Sequence, residues 1–109
     1  MNTPHFKVTT NDKHEPHFAF VVENANEGHG ENYSSQEMCD KGIASVRENC
    51  KNINQYELRT AENGKFYFVL KAKNGEIIYT GKLQKTEIQR ERGIELLMQF
   101  GPTAEVIRT

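Results

Sequence analysis

The residues of this chain best suited to chemistry are its histidines. His14-Glu15-Pro16-His17 sets two imidazoles and a carboxylate close together. A metal site needs three or four converging ligands. The others would have to come from His5 or His29, and no spacing signature joins them. The segment therefore reads as a polar loop with a proline stop. Gly28-His29-Gly30 frees the backbone around an imidazole, but it reads more simply as a worn-down hairpin turn. No local order suggests a serine–histidine–acid or cysteine–histidine arrangement. An enzyme using His14, His17 or His29 as base or ligand is thus the least favoured of three functional readings. No catalytic residue, metal ligand or cofactor is assigned.

Cys39 and Cys50 are the remaining candidates. Both fall in one expected helix, eleven positions apart. At about 1.5 Å rise per residue they would sit roughly 16 Å apart, beyond the ~7 Å that a disulfide spans. They read as small buried hydrophobes. The amino-terminal Met1-Asn2-Thr3-Pro4-His5 lacks the basic and apolar regions of a signal peptide, and no apolar run approaches a membrane span. A cytoplasmic protein is expected.

Charge gives a second functional reading. The chain holds 14 Lys and Arg against 15 Asp and Glu, a net charge of −1, so no overall field draws it to nucleic acid or anionic lipid. Locally the second half is basic, through Lys71, Lys73, Lys82, Lys85, Arg90 and Arg92. The first is acidic, around Glu23, Glu27, Glu31 and Glu37. Gly64-Lys65-Phe66-Tyr67-Phe68-Val69 echoes the aromatic strand of RNA-recognition sheets. Phe66 and Phe68 share a face with Leu70, however, which leaves Tyr67 as a lone ring and a poor stacking platform. Nucleic-acid binding is the alternative function, not the preferred one.

The elements that must position these residues are legible in the pattern. Ala61–Leu83 holds two Asn-Gly pairs, Asn63-Gly64 and Asn74-Gly75, around a β-branched and aromatic run. Asn-Gly suits type I′ turns. A three-stranded meander is expected over Gln55–Ala61, Lys65–Ala72 and Glu76–Leu83. Earlier, Phe6–Thr10 and His17–Asn24 alternate as strands, and Ala25–Asn32 gives a short, ragged third strand ending near Tyr33. Helix one follows Ser34 or Ser35, with Cys39, Ile43, Val46 and Cys50 as its apolar stripe. Ser34 and Glu37 have capping-box spacing. Helix two starts at Thr86, with Gln89 three residues on. Its stripe is Ile94, Leu97 and Met98, with Ile88 and Phe100 near the ends, and Gly101-Pro102 stops it. Ala104–Thr109 reads as a last strand.

The order repeats. Phe18-Ala-Phe-Val-Val matches Phe66-Tyr-Phe-Val-Leu, and Gly42-Ile43 matches Gly93-Ile94. Mid-helix glycine costs roughly 1 kcal/mol against alanine. Its recurrence predicts two helices lying close on a sheet. With 109 residues, one domain is expected, with repeats over about 5–54 and 55–109.

The segment Tyr33-Ser-Ser-Gln-Glu-Met-Cys-Asp-Lys-Gly-Ile-Ala-Ser-Val46, with Asn63-Gly-Lys-Phe-Tyr-Phe-Val-Leu-Lys-Ala-Lys-Asn-Gly-Glu76, resembles the YegP-like family of small uncharacterised bacterial proteins. The likeness covers nearly the whole chain from Phe6. Copy one carries Asn26-Glu27-Gly28-His29 in place of the Asn-Gly-Glu turn, and copy two has Arg90 where the family tends to carry alanine. The resemblance implies two units sharing one antiparallel sheet and exchanging their final strands. Single-copy relatives would reach the same shape as dimers. It implies no catalytic residue and no cofactor.

The expected fold is α+β: a single antiparallel sheet from two tandem β-β-β-α-β repeats with exchanged terminal strands, and two helices on one face. Core positions are Phe18, Phe20, Ile43, Val46, Phe66, Phe68, Leu70, Ile94 and Leu97. Ala19, Val21, Tyr67, Val69, Ile78 and Ile107 would lie on the opposite, open face. Of these, Val21, Tyr67, Val69 and Ile78 form the candidate binding site. The favoured function is a non-enzymatic binding or protein-interaction module, a monomer that meets a protein or small-molecule partner on this face and no membrane, with nucleic acid the less favoured partner.

Overall fold

The computed structural model describes residues 3–109; Met1 and Asn2, part of the amino-terminal stretch read above, lie outside the described residues. Seven strands and two helices follow in the order β1 (His5–Thr10), β2 (Pro16–Val22), β3 (Ala25–Asn32), α1 (Gln36–Asn49), β4 (Tyr56–Thr60), β5 (Phe66–Lys71), β6 (Ile77–Gly81), α2 (Glu87–Phe100) and β7 (Glu105–Arg108). A short 3-10 turn, Ile53–Gln55, leads into β4.

All seven strands form one sheet, ordered β4-β5-β6-β3-β2-β1-β7. The sheet is mixed, not purely antiparallel: β7 runs parallel to β1, with Phe6 opposite Val106 and Lys7 opposite Ile107. The reason is positional. The strand after α1, β4, lies directly against β5. The corresponding place beside β2 is taken by β1, so β7 settles one position further out and keeps its direction. Each post-helix strand thus crosses to the other half of the sheet.

The hairpins use different turn chemistry from the one expected. Gly64 and Gly75 have φ of 82° and 87°, whereas neither Asn63 nor Asn74 is among the residues with positive φ. Each loop has three residues between its closing partners: the Ala61 N–H donates to the Lys65 carbonyl at 2.8 Å, and that of Ala72 to Glu76 at 2.9 Å. These are three-residue loops with a left-handed glycine last, not type I′ turns. The asparagine serves as an acceptor, its Oδ1 taking the Lys65 or the Glu76 N–H. The β1–β2 loop has the same pattern, with Asn11 as the closing residue and His14 (φ 62°) in the glycine's place. The two-residue turn with both φ positive occurs instead at Glu23-Asn24, between β2 and β3.

That turn corrects the reading of Gly28-His29-Gly30 as a hairpin. Both glycines lie within β3, an eight-residue strand near the middle of the sheet. Their value is room for rings. A Cβ at Gly30 would come within 2.2 Å of Phe18, and one at Gly28 within 2.3 Å of Tyr79. Glycine in a strand costs roughly 0.5–1 kcal/mol. Burying a phenyl ring contributes about 2–3 kcal/mol, so ring packing outweighs the loss.

Both helices pack on one face. The core joins Cys39, Ile43, Val46 and Cys50 from the first helical region to Ile94 and Leu97 of α2, over Phe6, Phe18, Phe20, Phe68, Leu70 and Tyr79 of the sheet. Eight of the nine expected core residues are buried. Phe66 is half-buried, because it lies near the β4 edge with the Arg90 guanidinium 5.3 Å from its ring centroid. Ser35, not Ser34, caps α1, accepting from Met38 N–H at 3.2 Å. Thr86 caps α2 through Gln89 N–H at 3.1 Å, and Gln89 Oε1 reaches back to Lys85 N–H. Each cap stabilises its helix by about 1 kcal/mol. Ile88 is 78% exposed and adds nothing to the α2 stripe.

Candidate functional site

The face of the sheet away from the helices is the candidate site. Alternation along the strands places Ile107, His5, Lys7, Ala19, Val21, His29, Thr80, Tyr67, Val69, Glu57 and Arg59 on it. Its two ends differ.

At the β4–β5 end the apolar surface is covered. Val69 is 1% exposed although it belongs to no helix-side cluster. It pairs across the sheet with Glu57 and Thr80. Glu57 in turn binds Lys71 at 2.8 Å and also pairs with Arg59. Hydrogen bonds from Lys71 and then Arg59 hold the Glu57 carboxyl below the usual carboxylate range. Tyr67 stands opposite Arg59 and is half-buried. Charged side chains with long apolar stems therefore take the surface that Val69 would have offered.

Ile78 is not on this face. The β5–β6 ladder shifts register between Leu70 and Lys71, so that Tyr79 opposes Leu70 but Ile77 opposes Lys71. The extra residue is Ile78, and the bulge turns it onto the helix-side core. Strict alternation through β6 misplaces it; nothing in Glu76-Ile77-Ile78-Tyr79 marks a bulge.

At the β7–β1–β2 end the surface is open. Ile107 is 38% exposed, Val21 half-buried and Ala19 nearly covered. With His5, Lys7 and Asn26 they line a shallow depression of about 310 Å³. Of the expected site residues, Val21 lies here, Tyr67 and Val69 lie at the far end, and Ile78 lies on the other side.

Two of the histidines are brought together. His14 is a turn residue. His17 and His29 approach each other between the two ends, ring centroids 6.0 Å apart. Burial first, and then the neighbouring His29, push the His17 pKa below its ordinary value. Among the described residues no group of three or more His, Cys, Asp or Glu is placed to hold a metal ion. Cys39 and Cys50 are free and buried at the two ends of α1. Burial raises the pKa of both, that of Cys50 to about 11, so neither is an activated thiolate at neutral pH.

A groove that the sequence pattern does not show lies on the helix side. It has a volume of about 870 Å³ between α2 (Arg92, Leu96, Phe100) and the β2–β3 hairpin (Val22, Glu23, Glu27). It forms because two elements distant in the chain stand apart at their ends, and no periodicity reports that.

This geometry defines a small α+β protein with helices on one side of its sheet and a second side partly bare. A family model described as a domain of unknown function, DUF1508, matches residues 12–57 and again residues 61–107. The first match spans β2 to the start of β4 and the second β5 to β7. The chain is 45% identical over 74 residues to UPF0339 protein YegP of Escherichia coli (strain K12), covering 68% of this chain and 67% of that protein. It is 35% identical over 72 residues to UPF0339 protein PA0329 of Pseudomonas aeruginosa, covering 66% of each. The solution NMR structure of Escherichia coli yegP, described as a protein of unknown function, superposes with a TM-score of 0.91 at 34% identity, over 100% of this chain and 95% of that one. The solution NMR structure of UPF0339 protein SO3888 from Shewanella oneidensis gives 0.91 at 25% identity, over 98% and 92%. The chain belongs to the YegP-like DUF1508 family of uncharacterised bacterial proteins.

Proposed function

We propose that the chain is a non-enzymatic protein-interaction module, built as a duplicated unit on one shared sheet, that meets its partner on the open face. The observation that carries this is the juxtaposition of Ile107, 38% exposed, with half-buried Val21 over Ala19. An exposed apolar patch rimmed by polar groups marks a contact surface. Here the rim is His5 and Lys7. Tyr67 belongs to the far, charged end and is a peripheral contact. Val69 and Ile78 drop out of the site. We propose a cytoplasmic location, with which the two free, buried thiols are compatible.

Nucleic-acid binding has less support. Lys71 binds Glu57 at 2.8 Å, Lys82 faces Glu27 at 3.3 Å and Arg90 faces Glu87 at 3.6 Å. Half of the six cations that suggested it therefore have an acidic neighbour.

The test is a comparison of proteins captured by the wild type and by the Val21→Lys/Ile107→Lys double variant, with folding checked by circular dichroism. Loss of specific captured species in the folded variant supports the open face. Identical capture profiles refute it.

A further inference from the structure

The sheet is lopsided about its centre. Outward from the β3–β6 pair, one flank runs β2, β1, β7; the other runs β5, β4 and stops. The registers match flank to flank. Phe20 opposes Phe6 as Phe68 opposes Leu58, and Phe18 opposes Val8 as Phe66 opposes Thr60. Leu58 thus holds the place of Phe6, and Thr60 the place of Val8.

What covers those places differs. Phe6 is fully buried, with Val106 of β7 beside it. Leu58 is 54% exposed on an outermost strand. The backbone repeats the contrast. Phe66 exchanges both its hydrogen bonds with Gln84, on the side away from β4. Alternation in an antiparallel ladder then turns the N–H and C=O of Leu58 and Thr60 outward. On the other flank the Val8 carbonyl also points outward, and it accepts the Thr109 N–H at 3.1 Å.

We propose that the β4 edge is a strand-acceptor site. Its occupant is an extended peptide segment of a partner protein, added parallel to β4 as an eighth strand, with a β-branched apolar residue placed over Leu58. The chain shows the required chemistry on its opposite flank: β7, Glu-Val-Ile-Arg, sets Val106 toward the helices and Ile107 toward the open face. Main-chain hydrogen bonds supply affinity in such strand addition, and alternate side chains supply specificity. The chain's own β7 is not the occupant. It is held by Arg108–Asp40 at 2.8 Å, by Thr109–Val8, and by Arg47 donating to the Ala104 carbonyl. This surface is separate from the open-face depression, so either proposal stands if the other fails.

The probe is a synthetic peptide with the sequence Thr103–Thr109, titrated into the intact protein and followed by amide NMR. The expected result is saturable shifts and slowed hydrogen exchange at Leu58 and Thr60, with β1 amides unchanged. Leu58→Lys weakens binding at least tenfold, and a peptide carrying Val106→Pro does not bind the wild type. The second arm keeps the test intact if the protein variant misfolds. No shift at β4 at millimolar peptide overturns the proposal. So do shifts confined to β1 and β7, which mean displacement, and concentration-dependent protection of Leu58 without peptide, which means a second copy is the occupant.

Discussion

Phe18 lies over Gly30 so closely that a Cβ on the glycine would come within 2.2 Å of the ring. Phe68 stands the same way to Gly81, at 2.5 Å. Gly30→Ala and Gly81→Ala each force a core ring to move, and overpacking of this kind costs about 1–3 kcal/mol. Urea denaturation is expected to show both losses. Phe18→Leu in the Gly30→Ala background recovers part of the first, because the smaller side chain leaves the space.

His14 sits where the two later hairpins carry glycine. A left-handed conformation costs a side-chain-bearing residue about 1–2 kcal/mol. Glycine returns roughly 0.5–1 kcal/mol of that through greater freedom in the unfolded chain. His14→Gly is therefore expected to stabilise by about 0.5–1 kcal/mol. An unchanged or lower denaturation midpoint would contradict the turn assignment.

The two mid-helix glycines respond oppositely. At Gly93 the nearest neighbour of an added Cβ is a Phe68 carbon at 3.4 Å, an ordinary contact. Gly93→Ala then gains helix propensity, about 0.8–1 kcal/mol. At Gly42 the Cβ meets the Tyr33 hydroxyl at 2.2 Å, and Tyr33 is stacked on Phe18 at 6.1 Å. Gly42→Ala disturbs that stack and lowers the melting temperature, while Gly93→Ala raises it.

His17 makes stability depend on pH. Its folded pKa lies below the unfolded value near 6.5, through burial first and His29 second. The unfolded chain therefore binds more protons as pH falls through 6.5. The contribution is full above that value and is lost as pH drops toward the folded pKa. The urea midpoint is expected to fall between pH 7.5 and 5, and His17→Gln flattens that part of the curve. NMR titration of His17 at or above 6.5 would refute it.

Both helices, the meander and most of the core are legible because periodicity and capping are local. Cys39, Ile43 and Val46 keep helical spacing, and Phe66–Lys71 keeps strict alternation. The losses have physical causes. β3 reads as short and ragged, with a worn-down turn at Gly28-His29-Gly30, because its packing atoms belong to Phe18 and Tyr79 on other strands. Ile78 is misassigned because one bulge reverses a face. Val69 keeps its face, but the Glu57–Lys71–Arg59 cluster beside it forms only once β4 and β5 pair. Only Val21 of the expected site rests on the open depression.

Joining the first strand to the last has a consequence for synthesis. Phe6 waits at the margin of the nascent sheet until Val106 has left the ribosome, about a hundred residues later. This pairing joins residues about a hundred positions apart, so the ladder is complete only once β7 itself has been made. Until then the Phe6 flank of the sheet lacks the strand that pairs with it, and a chain ending at residue 104 never gains it.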